Sequence, residues 1–419
     1  MLFSQYKGNQ EEKRMNNAVN PYAPAKIKDI ELPSRIIRSA THEGMADISG
    51  KPDEKLIRTF ENYAKGGAGL IFTGYMGISQ QGKCPLYHMT MINDDALIPA
   101  WQEVTERVHA AGAPIVAQIA HCGRQTRKKV TGEKTVAPSA IRDFLYWENV
   151  PHKLKEKEIK KIISDFGDAA LRAKKAGFDG VQLHCAHGYL LSEFLSSHTN
   201  HRKDKWGGSL ENRFRIVGEI MKAMRPKVGE AYPIFVKMNC FEKDKDGIKP
   251  EEAVEIAKLM EKAGFDAIEV SCGLAKEGFN MSRGGFPYPA MCADNFRFEK
   301  LPKFTWPLMK PVMKLLMGSP KPLRSYNVEA AAMIKKAVSV PVIVCGGIRS
   351  DKEIKDVIYG GKADFVSMSR PFICEPDIVN RLKNGQEESR CLNCNYCLMG
   401  VERRPLKCYY GTLTNKKKT

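Results

Sequence analysis

His184, His187 and Tyr189 fall within one six-residue stretch, just past the short apolar run Phe178–Leu183. Polar rings at the point where a buried strand gives out are suggestive, because strand ends are where α/β folds place their chemistry. The i, i+3 spacing of the two imidazoles lets both ring N–H groups converge on one oxygen. That would polarise a carbonyl and stabilise negative charge developing on it. The same pair could bind a metal ion, or could be two unrelated polar residues ahead of a helix start at Ser192-Glu193-Phe194-Leu195. A second constellation lies near the end of the chain. Cys391, Cys394 and Cys397 are spaced C-x2-C-x2-C, and Cys408 follows. Four thiolates in this span suit a [4Fe–4S] cluster or zinc, against the plainer reading of unligated thiols. A third consists of two turns that follow apolar runs, Val344-Cys345-Gly346-Gly347-Ile348 and Met368-Ser369-Arg370-Pro371. Their backbone N–H groups, with Arg370, suit a phosphate monoester, whereas a lone Gly-Gly would be an ordinary tight turn.

Single residues add to these groups. Gly74 leaves room for a flat ligand beside the backbone. Gln118 sits in an otherwise apolar run, so its amide needs partners, from a polar ligand edge or a neighbouring strand. Lys237 follows Phe235-Val236 and reads as pointing inward rather than out to solvent. His42, in Thr41-His42-Glu43-Gly44, stands either at the mouth of the site or in an exposed loop.

The elements that must position these residues are legible as a recurrence. Lys175–His184, KAGFDGVQLH, is nearly repeated by Lys262–Ser271, KAGFDAIEVS. Looser copies are Lys65–Gly74, His109–Gln118 and Gly360–Ser369. Each reads as a helix end, a glycine turn and an apolar strand. With Arg35–Ser39, Pro233–Lys237 and Pro341–Gly346 this makes eight strands. Amphipathic segments such as Asp95–Ala111, Ile159–Ala176 and Pro250–Ala263 alternate with them. Eight strands alternating with helices predict an α/β fold of the (β/α)8, or TIM-barrel, kind. An open doubly wound sheet is the rival, and no Gly-rich dinucleotide turn follows the first strand to favour it.

The chain has 419 residues, and such a barrel takes roughly 250, with insertions carrying some past about 400. We therefore expect a flexible arm over 1–20, the barrel over 21–385 and a Cys-rich tail over 386–419. No apolar run approaches the ~20 residues of a membrane span, and the first residues lack a signal-peptide core. The twelve cysteines are mostly single, as in a reducing compartment. These features imply a cytoplasmic protein. The formal charge of +18 is spread over nearly every helix and reads as a solvated surface rather than a nucleic-acid face.

The run HCAHGYLLSEFLSS, with Asn200-His201-Arg202-Lys203-Asp204 and Trp206-Gly207-Gly208-Ser209-Leu210-Glu211-Asn212-Arg213, resembles the old yellow enzyme family of flavin oxidoreductases. The resemblance extends from about Pro24 to Cys408. It implies FMN over the C-terminal ends of the strands and hydride transfer from NAD(P)H, through the flavin, to an activated C=C bond. By the same resemblance, Ser39, Ala40, Thr41 and His42 would touch the flavin. Gly74 and Gln118 would meet its pyrimidine ring, and Lys237 would place a positive charge near N1 and O2. Gly346, Gly347, Ser369 and Arg370 would take the phosphate. His184 and His187 would hold the substrate carbonyl, and Tyr189 would donate the proton. The family usually has Arg where this chain has Lys237, and many members have Gly in place of Ser369. The cysteine spacing is similar to the cluster site of trimethylamine dehydrogenase and the dienoyl-CoA reductases, with a slightly different last interval.

The partners expected are a small unsaturated carbonyl compound, an external electron-donor protein and a second copy of the chain in a homo-oligomer. Neither nucleic acid nor a membrane is expected. An excursion over Gly273–Ser325, rich in Pro, Gly, Met and aromatics, should form a lid. The competing functions are oxidative amine demethylation on the same barrel, a metal-dependent hydrolase using His184 and His187, and an inactive barrel that binds nucleic acid through its charge.

Overall fold

The computed structural model describes residues 19–86, 88–143, 150–277, 282–294, 302–317 and 322–412. Eight strands form its centre: β1 (Ile36–Arg38), β2 (Leu70–Phe72), β3 (Ile115–Ala120), β4 (Gly180–Cys185), β5 (Ile234–Asn239), β6 (Ala267–Ser271), β7 (Val342–Cys345) and β8 (Phe365–Met368). Each pairs in parallel with its neighbours, and β8 pairs with β1, so the sheet closes. Closure with helices outside is the (β/α)8 barrel. The principal helices after each strand are α1 (Glu54–Lys65), α2 (Ile98–Ala110), α3 (Glu156–Lys175), α4 (Leu210–Val228), α5 (Pro250–Ala263), α6 (Val328–Ala337), α7 (Asp351–Tyr359) and α8 (Ile378–Lys383).

The sequence recurrence has a physical basis. Gly177 after α3 and Gly264 after α5 hold left-handed backbone (φ 80° and 94°), which stops each helix and turns the chain back. The aspartate two residues after each of these glycines, and three after Gly361 in the corresponding turn before β8, then accepts the first N–H of the preceding strand. Asp179 takes that of Ile115 at 2.7 Å, Asp266 that of Ile234 at 2.8 Å and Asp364 that of Val342 at 2.8 Å. One residue type at one place in the repeat thus satisfies an orphan donor and sets the strand register.

Alternate residues of each strand point into the barrel. In its lower half these are apolar: Ile37, Leu70, Phe72, Val116, Phe235, Ala267, Ile343 and Phe365 form one buried cluster. The hairpin Ala25–Ile27 and Ile30–Leu32 packs against the same cluster. Two residues further along the same faces the interior becomes polar, with Ser39, Gln118, Gln182, Lys237, Glu269 and Ser367 all buried.

The excursion contains helices Tyr288–Asp294 and Trp306–Met317; its residues 278–281, 295–301 and 318–321 lie outside the described residues. Tyr288, Met291 and Met313 pack with Met399 and Tyr409 of the tail. The tail also ties back to the barrel, where Ser389 donates to the Arg349 carbonyl and Leu406 to that of Glu43. Residues 19 and 20 apart, the expected arm lies outside the described residues. Among those described, no helix is long and apolar enough to cross a membrane.

Candidate active site

A cavity of about 380 Å³ opens over the C-terminal ends of the strands. Ser39, Ala40, Thr41 and His42 line it after β1, Gln118 on β3, His184, His187 and Tyr189 from β4, Lys237 on β5, Gly346 and Gly347 after β7, and Ser369 and Arg370 after β8. Every residue singled out in the sequence for one ligand site is therefore brought to one cavity, except Gly74. The Gly74 N–H is donated to Glu43 Oε1 (2.8 Å). A Cβ there would lie 2.0 Å from Glu43 Oε2. The glycine makes room for a buried side chain of the protein, itself paired with Arg38 at 2.9 Å.

The two imidazoles stand with ring centroids 5.1 Å apart and planes nearly perpendicular (88°). His184 Nδ1 accepts the Ala186 N–H (3.3 Å), which leaves the ring proton on Nε2. His187 Nε2 lies 2.8 Å from the Ser271 hydroxyl. The His187 backbone is left-handed (φ 65°), a conformation that costs a non-glycine residue about 1–3 kcal/mol. It is held there in part by its N–H bond to Asn239 Oδ1 (3.2 Å). Burial pushes the pKa of both rings down, His187 to about 3, with Lys237 adding to the effect. Both are therefore neutral N–H donors near pH 7, not cations. Among the described residues no group of three His, Cys, Asp or Glu side chains is placed to hold a metal ion, so the pair lacks a third ligand.

Tyr189 is packed 5.0 Å from His184 and 5.0 Å from Tyr75, centroid to centroid. The Tyr75 hydroxyl oxygen in turn lies 3.0 Å from Cys84 Sγ. Burial raises the Tyr189 pKa well above its ordinary value, so the phenol keeps its proton until a strong base takes it.

Beneath the cavity runs a network that the sequence did not disclose. Gln118 Nε2 donates to Gln182 Oε1 (2.7 Å), and Gln182 Nε2 to Glu269 Oε2 (2.8 Å). Glu269 Oε1 accepts from the hydroxyls of Ser39 and Ser367, both at 2.7 Å, and pairs with Lys237 at 3.2 Å. The signal was present in the strand period. Glu269 falls two residues after Ala267 and two before Ser271, on the face that points inward.

The turn after β7 is a cradle that only glycine permits. Gly346 and Gly347 have φ of 144° and 76°, and a Cβ on Gly347 would lie 2.7 Å from the Leu323 carbonyl oxygen. Thr41 Oγ1 and Ser369 Oγ are hydrogen-bonded at 2.5 Å beside it. Arg370 lines this cavity and also a second one of about 200 Å³, bordered by Cys391, Cys394, Cys397, Cys408 and Cys374. Its guanidinium donates to Asn395 Oδ1 and the Ser282 carbonyl, both at 2.8 Å. The four predicted thiols therefore surround one space, though no three of them converge on a single point. Zinc would need all four sulfurs about 2.3 Å from one centre; a cluster of several irons spreads them further apart.

A closed parallel barrel with a ligand cavity at its C-terminal face defines the class of protein. The chain matches the model of the NADH:flavin oxidoreductase / NADH oxidase family over residues 21–277 and 310–389, and it belongs to that family. It is 35% identical over 391 residues to a metal reductase of Desulforamulus reducens, covering 92% of this chain and 52% of that protein. It is 32% identical to a cinnamate reductase of Clostridium sporogenes, covering 90% of this chain and 55% of that protein. The chain thus spans about half the length of these curated relatives. The solved old yellow enzyme homologue of Zymomonas mobilis superposes with a TM-score of 0.70 at 26% identity, covering 93% of this chain and 100% of that one.

Proposed function

We propose that this chain is an FMN-dependent NAD(P)H oxidoreductase that reduces the C=C bond of an α,β-unsaturated carbonyl compound. The observation that carries this reading is the grouping of two neutral imidazoles and a protonated phenol on one cavity whose opposite parts offer a glycine cradle, a cation and an amide. The donor set fits FMN. The Gly346–Gly347 turn, Ser369 and Arg370 would hold its phosphate, and Gln118, Lys237 and the Ser39–His42 segment its ring system. Bound FMN supplies the hydride. His184, through Nε2–H, and His187 hold the substrate carbonyl oxygen and stabilise negative charge gathering there. The Tyr189 hydroxyl gives its proton to the adjacent carbon, completing saturation.

The Cys391–Cys408 cavity is suited to a [4Fe–4S] cluster, which would supply single-electron transfer, with an external electron-donor protein as partner. The closing test is anaerobic. Protein reconstituted with FMN is reduced by NADH or NADPH and mixed with cinnamate or its thioester, and the product is analysed. Flavin reoxidation with formation of the saturated acid supports the reading. Oxidised flavin that is instead reduced by an N-methylated amine, with release of the demethylated amine and formaldehyde, would favour the demethylase chemistry. Flavin that stays reduced with every enoate tried rejects C=C reduction.

A further inference from the structure

Glu269 lines no part of the cavity, yet three residues that do line it are arranged around it. Its side chain is fully buried. It accepts from Ser39, Ser367 and Gln182 and pairs with Lys237, whose Nζ also donates to Ser39 Oγ at 2.8 Å. The pairing follows from register, since Lys237 on β5 stands directly opposite Glu269 on β6. Two consequences reach the cavity. First, the charge that Lys237 presents there is opposed by a carboxylate 3.2 Å from its nitrogen. Second, an ionised carboxylate only accepts hydrogen bonds. Gln182 must therefore turn its NH2 toward Glu269 and its oxygen toward Gln118 Nε2. The amide oxygen of Gln118 consequently lies on the side away from Gln182. The orientation of both amides is anchored at one end by a group that cannot donate.

We propose that Glu269 sets the reduction potential of the bound flavin, by making Lys237 half of a buried neutral pair and by fixing the polarity of the Gln182–Gln118 amide chain. This rests on the FMN reading above. A lone cation on the cavity wall favours the anionic reduced cofactor, and Glu269 offsets that preference. It is a positioning residue, because it acts through Lys237 and Gln118 and touches no ligand. Burial alone would push the Glu269 carboxyl up. Lys237, with Ser367, Ser39 and Gln182, outweighs it and holds the carboxyl below its usual range, so Glu269 is a carboxylate.

The test compares wild type, Glu269→Gln and the double variant Lys237→Met/Glu269→Gln, each reconstituted with FMN. Midpoint potentials come from anaerobic titration against a reference dye, and sulfite dissociation constants from bleaching of the flavin absorbance. Both are measured for all three proteins in one buffer at about pH 6.5, near the ordinary histidine value. Glu269→Gln should raise the midpoint and tighten sulfite binding at least about tenfold, the scale of one unit charge across several ångströms at an effective dielectric constant of about 20. The double variant removes both charges together, a change buried pairs commonly tolerate, and should stay within about threefold of wild type for sulfite. A Glu269→Gln protein with wild-type midpoint and sulfite affinity overturns the proposal. If that variant does not fold, the double variant decides: sulfite binding weaker by more than about tenfold means that Lys237 acts unopposed. Wild-type protein that takes up no FMN takes down the cofactor reading and this inference with it. Normal uptake with an unmoved potential takes down this inference alone.

Discussion

Tyr189 is buried against His184 and Tyr75 and lines the cavity, with its hydroxyl protonated. Removing only that oxygen separates its role from the rest of the site. Tyr189→Phe should leave flavin content and reduction by NAD(P)H unchanged. It should slow reoxidation by an enoate about 10²–10⁴-fold, the range of general acid catalysis, as read by stopped-flow absorbance. Residues of this kind were legible in the sequence because polar rings, an amide and a lysine sit where apolar runs end. Glu269 was not, although it lies in the middle of a strand. Its flanking Ile268 and Val270 make it look like the solvent face of an alternating pattern, and the cation that neutralises it is on another strand. Gly74 shows the converse. The need for space beside a glycine can be read from sequence, but the occupant, here Glu43, cannot.

The strands and turns carry their own consequences. At the end of β3, His121 accepts the Gly123 N–H on Nδ1, and burial drives its pKa down to about 3. In the unfolded chain the ring protonates below about pH 6.5. The folded state resists that proton, so the stability it contributes is complete above pH 6.5 and lost as pH falls toward 3. His121→Gln should therefore flatten the fall of unfolding free energy between pH 6 and 4 by up to about 1.4 kcal/mol per pH unit, measured by urea unfolding across that range. Keeping the wild-type slope would remove His121 from the acid response. In the turn after β7, Gly347→Val forces a branched side chain into left-handed backbone and toward the Leu323 carbonyl. With about 1–3 kcal/mol of strain placed there, FMN binding should weaken at least about fivefold while the circular dichroism spectrum stays that of wild type. The strands were legible because a helix end, a glycine turn and an apolar run recur at five of them, with the aspartate at three. The helices inside the excursion were not, since Pro- and Met-rich chain has no period and its packing partner is the distant tail.

At the scale of the whole molecule, the tail closes the barrel's upper face and brings four cysteines around one space. Protein purified without oxygen should carry about four iron and four acid-labile sulfide per chain, and Cys394→Ala should lose them while retaining FMN. Metal analysis that finds no iron, in cells supplied with iron and sulfide, would leave these residues as thiols. The spacing of these cysteines was legible, whereas the approach of Cys374 and of Arg370 to them was not, because both come from the segment after β8. Arg370 borders both cavities and holds Asn395 of the tail through one guanidinium. Two binding events that share a side chain are thermodynamically linked, and linkage is mutual. Whatever factor an anion at the Gly346–Gly347 turn adds to the docking of the tail, an ordered tail must add to the affinity for that anion. Resistance of the tail to proteolysis would then be a measure of cofactor occupancy some distance away, with no chemistry having taken place.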